Sequence, residues 1–246
     1  MTEPEQSAGP PGPLPNLGPL ALARGTVDRS TERRTDPEWL EARWAEPGTR
    51  VLVVKDGQAL VRFGQAGAEL VLLPVSQAPD GPRYLLGVDD EGRAYFGVTA
   101  PLPAAAGAAG AGQVKPAGLR QVGALLGDRD AGLFTHAVAL ANWHATHTHC
   151  PRCGAPTNLV TGGHSRICPV DGSEHFPRTD PAVITLVTDA RDRALLAHNS
   201  SWPEHRVSIL AGFVEPGESA EHAVEREVAE ETGIVVDEIQ YLGSQP

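Results

Sequence analysis

The sequence predicts an α+β protein: a mixed sheet with helices in the first part, a small cysteine-bearing connector, and a second α/β domain at the end. Three observations carry this. Short aliphatic runs bounded by Asp-Gly or Gly recur between residues 50 and 98. A helical stretch with apolar residues at i, i+4, i+7 and i+8 follows them. A Cys-x-x-Cys pair then separates these from further strand-like runs that lead into a Glu-rich helix.

The first 35 residues are rich in Pro, Gly and charge and read as a disordered tail. In the stretch PEWLEARWAE, Leu40 and Trp44 are four apart with Trp39 beside them, which predicts a short amphipathic helix. Residues 50–54, 59–63, 70–75, 84–88 and 94–98 read as strands of a mixed or antiparallel sheet. Residues 101–118 are low-complexity and read as a surface loop or linker. Residues 119–126 and 130–143 read as helical, the second with apolar spacing at Leu133, Ala137, Leu140 and Ala141. Residues 36–143 thus form a first domain, without a chemical motif of its own, that suits a scaffold or dimerisation role. The connector spans 144–178, and the last domain 179–246.

Composition narrows the function. The 246 residues leave room for one or two domains and a sizeable core. A formal charge of −11 argues against broad binding to nucleic acid or anionic membrane, though contact with one RNA end stays open. Lys55 and Lys115 are the only lysines. No apolar run reaches membrane-spanning length, and Glu3 and Glu5 stand where a signal peptide would carry positive charge. The expectation is a cytoplasmic protein with no membrane partner.

Three cysteines cannot make a paired disulfide framework. Cys150-Pro-Arg-Cys153 is followed by Gly154, which makes a tight knuckle aiming two thiolates at one point. Cys168-Pro-Val-Asp171 starts a second knuckle with Asp where a fourth Cys is expected. The set Cys150, Cys153, Cys168 and Asp171 could hold structural Zn²⁺, since Asp can ligate through oxygen. His149, His164 and His175 are alternative fourth ligands, and a metal-free ribbon held by packing is the remaining reading. His144 and His147, on or just after the helix ending near Trp143, read as surface or packing residues, and His198, His205 and His222 have no partner recognisable from sequence.

Beyond the connector, residues 182–187 read as a buried strand, and residues 193–198, 208–213 and 239–242 as further strands. Residues 220–232 form a helix free of Gly and Pro, with Ser219 as N-cap and Gly233 at the left-handed C′ position. On it Ala220, Ala223, Val224, Glu227, Val228 and Glu231 share a face, with Glu230 at its edge. Glu227, Glu230 and Glu231 fall at i, i+3 and i+4, where like charges repel, and their place among apolar residues makes them costly unless a cation sits between them. Mg²⁺ suits such an oxygen donor set. An acidic surface helix is the bland alternative. It accounts for the charge but not for its place among Ala and Val.

The segment from Gly212 to Ile234, GFVEPGESAEHAVEREVAEETGI, resembles the Nudix box, Gx5Ex7REUxEExGU, at every specified position. With ANWHATHTHCPRCG, HFPRTDPAVI, LAGFVEPGES and the terminal Ser244-Gln245-Pro246, the chain resembles the NADH pyrophosphatase branch of the Nudix hydrolases. The resemblance implies a degenerate Nudix-like N-terminal domain, a zinc ribbon, and a partial Nudix α/β/α sandwich with a mixed sheet. It implies hydrolysis of NADH or NAD⁺ to NMN(H) and AMP, removal of NAD caps from RNA, Mg²⁺ or Mn²⁺ as catalytic ions, and a homodimer. Glu227, Glu230 and Glu231 would hold those ions, with the Ala211 carbonyl as a further ligand. Arg226 and Glu218 would pair behind them, with Gly212 and Gly233 shaping the loop and helix end. Phe176, where the family usually has Tyr, would stack on a base, and Arg120 and Gln245 would contact substrate.

Two departures bear on these expectations. One is Asp171 in place of Cys. The other is that the sequence stops within the family motif SQPWPFPxS, which implies an incomplete Nudix domain, weakly active or inactive. The competing functions are hydrolysis of ADP-ribose or another nucleoside diphosphate derivative, and a non-catalytic module that senses a nucleotide.

Overall fold

The computed structural model describes residues 17–18, 20–65, 67–104 and 112–246. Most of the expected disordered tail, residues 1–16, and residues 105–111 of the expected linker lie outside the described residues. The described chain forms two compact units, one of residues 178–242 and one of residues 17–177 with 243–246. Among the described residues no helix is long and apolar enough to cross a membrane.

The larger unit is built on two sheets. Strands β1 (Arg50–Val54), β2 (Gln58–Phe63), β3 (Ala68–Leu70), β4 (Leu73–Pro74), β5 (Arg83–Val88), β6 (Ala94–Thr99) and β7 (Gln113–Gly118) assemble in the orders β4-β1-β6-β5 and β3-β2-β7. β1 runs parallel to β6, with Arg50 opposite Tyr95, while β5 pairs with β6 antiparallel. The first sheet is covered on both faces, which is why RVLVV reads as a continuous apolar run and not an alternating one. One face, with Leu52, Val54, Tyr84 and Leu86, packs on Phe134, Ala137 and Leu140 of the long helix α3 (Asp128–Thr146). The other face, with Leu85 and Phe96, packs on Trp39, Leu40 and Trp44 of α1 (Pro37–Ala45). α1 starts as its sequence directs: Asp36 accepts the Trp39 N–H at 3.0 Å, and Pro37 occupies the first turn.

Three expectations need revision in this unit. Residues 70–75 are not one strand. The pairing of β3 with β2 ends at Leu70, the chain then joins β1 through β4, and Pro74 has no N–H to continue the ladder. Residues 113–118 are not a loop but strand β7, pairing with β2 from Gln58↔Gly118 to Phe63↔Gln113. Its Pro116 is tolerated because β7 is an edge strand. The last part of the expected tail is also held: Asp28 exchanges backbone hydrogen bonds with Val88 at 2.8 and 2.9 Å, and the Arg24 guanidinium donates to the Gly123 and Leu126 carbonyls that end the short helix α2 (Leu119–Val122) and its following turn. The unit ends in a three-stranded ribbon, β8 (Asn158–Val160), β9 (Ser165–Ile167) and β10 (Glu174–His175).

The smaller unit pairs β11 (Ala182–Thr185) with β12 (Leu210–Phe213) and lays α4 (Ala220–Thr232) on one face of them. Leu210, Val224 and Val228 are buried there, with Val183, Val187 and Leu195 packed around them. Residues 182–187 are not a fully buried strand: Ile184 is 71 % exposed, as α4 covers only one face of the pair. Residues 193–198 make only the isolated bridges Thr188↔Ala194 and Ala197↔Ser208, and residues 239–242 carry no strand.

Candidate active site and metal centre

The Glu-rich helix forms with the expected caps. The Ser219 hydroxyl accepts the His222 N–H at 3.2 Å, and Gly233 adopts φ 73°, a left-handed turn that ends the helix without a Cβ clash. Gly217 also needs its freedom, with φ 85° in the turn that brings the chain back from β12. At Gly212 the requirement is space. A Cβ there would lie 1.9 Å from the Glu227 carboxyl carbon, so only glycine lets this carboxylate rest on the strand backbone.

Arg226 is the hub. Its Nε and NH2 groups donate to the two oxygens of Glu218, both at 2.9 Å. NH2 also reaches the Phe213 carbonyl at 3.0 Å, and NH1 donates to Glu227 at 2.9 Å and Glu230 at 3.3 Å. The Glu218 carboxylate accepts the Glu215 N–H as well, at 3.0 Å. The Arg226 fork, then that N–H, lower the Glu218 carboxyl to about 2, and the carboxylates raise Arg226 above its ordinary value.

The three box glutamates differ in setting. The Glu227 side chain is 18 % exposed and that of Glu230 62 %, while Glu231 is exposed. The expected acidic group inside the apolar stripe therefore reduces to Glu227, because the buried stripe is only Ala223, Val224 and Val228 wide. The Arg226 network leaves Glu227 Oε2, Glu230 Oε1 and both oxygens of Glu231 outside it. That oxygen-only set on one helix face has the chemistry a hard divalent cation takes, so these residues could hold one. Ala211 lies on β12 opposite Ile184, next to Gly212.

The ribbon places Cys150, Cys153, Cys168 and Asp171 so that one ligand atom from each lies within 4.8 Å of the others. The Cys153 and Cys168 sulfurs are 3.5 Å apart, and Cys150 Sγ is 3.6 Å from Asp171 Oδ2. Ligands about 2.3 Å from a tetrahedral ion stand roughly 3.7 Å apart, so this donor set fits Zn²⁺. The two knuckles repeat one geometry. Gly154 N–H donates to the Cys150 carbonyl at 2.8 Å and Gly172 N–H to that of Cys168 at 3.0 Å, each glycine with positive φ. Of the alternative ligands, His164 is engaged away from the cluster and His149 with its neighbour, whereas His175 stays beside the cluster through Ser173, which meets Cys150 Sγ at 3.4 Å. His164 Nε2 meets the Leu85 carbonyl at 2.7 Å, His149 Nδ1 meets the Thr148 hydroxyl at 2.9 Å, and His175 Nε2 meets the Ser173 hydroxyl at 3.1 Å.

Sequence reasoning misses Ser173. Its hydroxyl and N–H both donate to Asp171 Oδ1, at 2.5 and 2.9 Å, which leaves Oδ2 facing the cysteines. These bonds hold the Asp171 carboxyl well below the usual range. A serine two residues after a turn aspartate is the available signal. His144, read from the sequence as a surface or packing residue, packs and bonds with several partners, Arg166 NH1 at 3.0 Å among them. It is buried, stacks on Tyr84 at 4.9 Å, and bonds the Gly163 carbonyl at 2.8 Å. Phe176, Arg120 and Gln245 are exposed and belong to the larger unit, not to the one that carries the glutamates.

A capped helix bearing REVAEE beside a glycine strand end, preceded by a cysteine ribbon and a sheet-and-helix domain, defines a Nudix-type protein with an appended zinc ribbon. Family models agree: residues 178–246 match the NUDIX domain, 145–176 the NADH pyrophosphatase zinc ribbon domain, and 48–143 the NADH pyrophosphatase-like rudimentary NUDIX domain. The chain is 42 % identical over 229 residues to the NAD-capped RNA hydrolase NudC of Mycobacterium bovis, covering 92 % of this chain and 71 % of that one. It is 42 % identical over 228 residues to the protein of that name in Mycobacterium tuberculosis, covering 91 % and 70 %. The human mitochondrial NAD(P)H pyrophosphatase NUDT13 is 46 % identical over 120 residues, 49 % of this chain and 34 % of that one. The chain belongs to the Nudix hydrolases, in the NADH pyrophosphatase family.

Proposed function

We propose that this protein hydrolyses the pyrophosphate of NADH and NAD⁺ to NMN(H) and AMP, and by the same cleavage removes NAD caps from RNA. Water adds to one phosphorus, the bridging P–O bond breaks, and the second phosphate leaves with its nucleoside. The observation that carries this reading is the complete box in one assembled piece: Glu227 against Gly212, and Arg226 forked onto Glu218. The names of the mycobacterial and human relatives support the substrate class.

Glu227, Glu230 and Glu231, with the Ala211 carbonyl, would hold Mg²⁺ or Mn²⁺. Such an ion supplies charge neutralisation on the pyrophosphate and activation of water. The chain's own part is to hold the donors still. Arg226 anchors Glu227 and Glu230 while its fork to Glu218 fixes the preceding loop, so the carboxylates are presented on a rigid helix. Phe176 would stack on a base of the substrate, and Arg120 and Gln245 would contact it, Arg120 from the second subunit of a homodimer. Cys150, Cys153, Cys168 and Asp171 would bind a structural Zn²⁺. The protein would act in the cytoplasm.

The test is release of AMP from NADH in the presence of Mg²⁺, with ADP-ribose and NAD-capped RNA in parallel. Faster turnover of ADP-ribose than of NADH overturns the substrate assignment. AMP release that persists in Glu231→Gln overturns the site.

A further inference from the structure

The larger unit contains a cavity of about 930 Å³ between α1, the sheet, α3 and the ribbon. Leu40, Phe96 and Leu159 contribute apolar wall, and Arg34, Arg83 and Arg166 also line it. Arg83 is already committed: it bonds Glu41 at 2.5 Å and lies 4.6 Å over the Trp44 ring. The other two arginines are not. Arg166 donates only to neutral acceptors, from Nε to the Thr157 hydroxyl at 2.7 Å, from NH2 to the Thr157 carbonyl at 2.6 Å, and from NH1 to His144 Nδ1 at 3.0 Å. Arg34 donates from Nε to the Arg29 carbonyl at 2.9 Å. Among the described residues neither has a carboxylate at ion-pair distance.

Acidic side chains are plentiful in a chain with formal charge −11, yet among the described residues the only one acting on either cation is Asp28, beyond ion-pair distance from Arg34 and offset by the nearby Arg29. A partly buried cation without a carboxylate in contact is costly. Histidines nearby add little charge: His144, in the cavity lining beside Arg166, has its pKa lowered by burial first and by Arg166 as well. His136 and His164, with ring centres 5.0 Å apart, are kept neutral to about pH 3 and 4 by burial first and by Arg29 and Arg34 as well. The cavity is within the size range of small-molecule sites, and an apolar wall with a few polar side chains in the lining is theirs too.

We propose that this cavity binds an organic monophosphate of mononucleotide size, with its phosphate on Arg34 and Arg166 and its ring body against Leu40, Phe96 and Leu159. A phosphate offers three acceptor oxygens and up to two charges, which two guanidinium groups can share, whereas a lone carboxylate fills one fork. The site shares no residue with the box helix and does not depend on the reaction assigned to that helix.

The experiment is calorimetric titration of the whole chain with AMP, phenyl phosphate, phenylacetate and inorganic phosphate. Ala145, an exposed α3 residue at the cavity wall, is changed to Trp to fill the space without removing a polar group. Arg34→Gln removes one cation and no ion pair. AMP and phenyl phosphate should bind at least about tenfold more tightly than phenylacetate or inorganic phosphate, and each variant should weaken them by about tenfold or more. AMP that keeps its affinity in both variants binds only at the box helix, and the proposal is then overturned. Unchanged affinity in Arg34→Gln at unchanged Tm overturns it as well, as does equal binding of phenylacetate and phenyl phosphate. If Ala145→Trp does not fold, the affinity of Arg34→Gln decides by itself.

Discussion

Arg226 and Glu218 are joined by two parallel bonds of 2.9 Å, and the same guanidinium holds the Phe213 carbonyl at 3.0 Å. One side chain therefore ties the end of β12, the loop after it and the first turns of α4. Glu218→Gln should keep the fold and lower NADH hydrolysis by about 10 to 100-fold, the usual cost of losing a group that only orients ligands. Steady-state AMP release, with circular dichroism to check α4, measures this. Arg226→Lys should not restore it, because an ammonium cannot make the fork.

Glu231 is exposed, and among the described residues its side chain makes no hydrogen bond or ion pair. Glu231→Gln should leave Tm unchanged and reduce AMP release by more than about a hundredfold, beyond what a merely orienting residue costs. Glu227→Gln should lose activity too, and it should also lower Tm because its bond to Arg226 is weakened. A Tm drop for Glu231→Gln equal to that for Glu227→Gln would contradict this division.

Gly212→Ala puts a methyl 1.9 Å from the Glu227 carboxyl carbon. Overpacking of this kind costs about 1–3 kcal/mol. The smaller unit should lose that stability in urea, and activity should fall with it because Glu227 must move. A fully active Gly212→Ala would show that Glu227 need not rest on the strand.

The ribbon should hold about one zinc per chain, measured by elemental analysis, and lose it to a strong chelator with loss of the β8–β10 signals. Asp171→Ala should release the metal more easily. Asp171→Cys should retain it more tightly, since it restores a fourth thiolate. Ser173→Ala should weaken retention by about 10 to 100-fold, because Asp171 then loses the bonds that turn Oδ2 toward the cysteines.

Acid should destabilise both units, at different pH. His136 and His164 are held at about 3 and about 4, well below their unfolded values near 6.5. Their unfolded forms bind protons first, so the stability tied to their neutral state is complete above about pH 6.5 and declines as pH falls toward 4 and 3. Glu218, held at about 2 against an unfolded value of 4.5, adds a loss that begins as pH falls through about 4.5 and continues to pH 2 in the smaller unit. Tm recorded from pH 7 to 4 should fall less in His136→Gln than in the parent.

Much of this is legible in the sequence, and the reasons differ by element. The box is readable because its spacing, its caps and its glycines each demand a distinct local geometry, and Ser219, Gly233 and Gly212 meet those demands. Strands β1, β5 and β6 are readable from unbroken aliphatic runs. β7 is not, because its Pro and Gly content disfavours a strand and only the neighbouring β2 supplies its pairing. The break between β3 and β4 is hidden because one aliphatic run serves two sheets. Long-range partners such as Asp130, whose carboxylate accepts the Leu70 N–H at 2.8 Å, leave no local signature at all. The Arg226-bridged, partly buried state of Glu227, and the exposure of Glu230 and Glu231, escape the sequence because helical periodicity gives direction but not the width of the covered face.

The parallel pairing of β1 with β6 has a consequence for how the protein is made. Arg50 leaves the ribosome well before its partner Tyr95. At roughly 5–20 residues per second the interval is about two to nine seconds. Through that time Val51 and Val53 lack their neighbours on β6, with only β4 on the other side of β1 to pair with, and the nascent chain exposes a sticky aliphatic ribbon that a holding chaperone would meet before any nucleotide does.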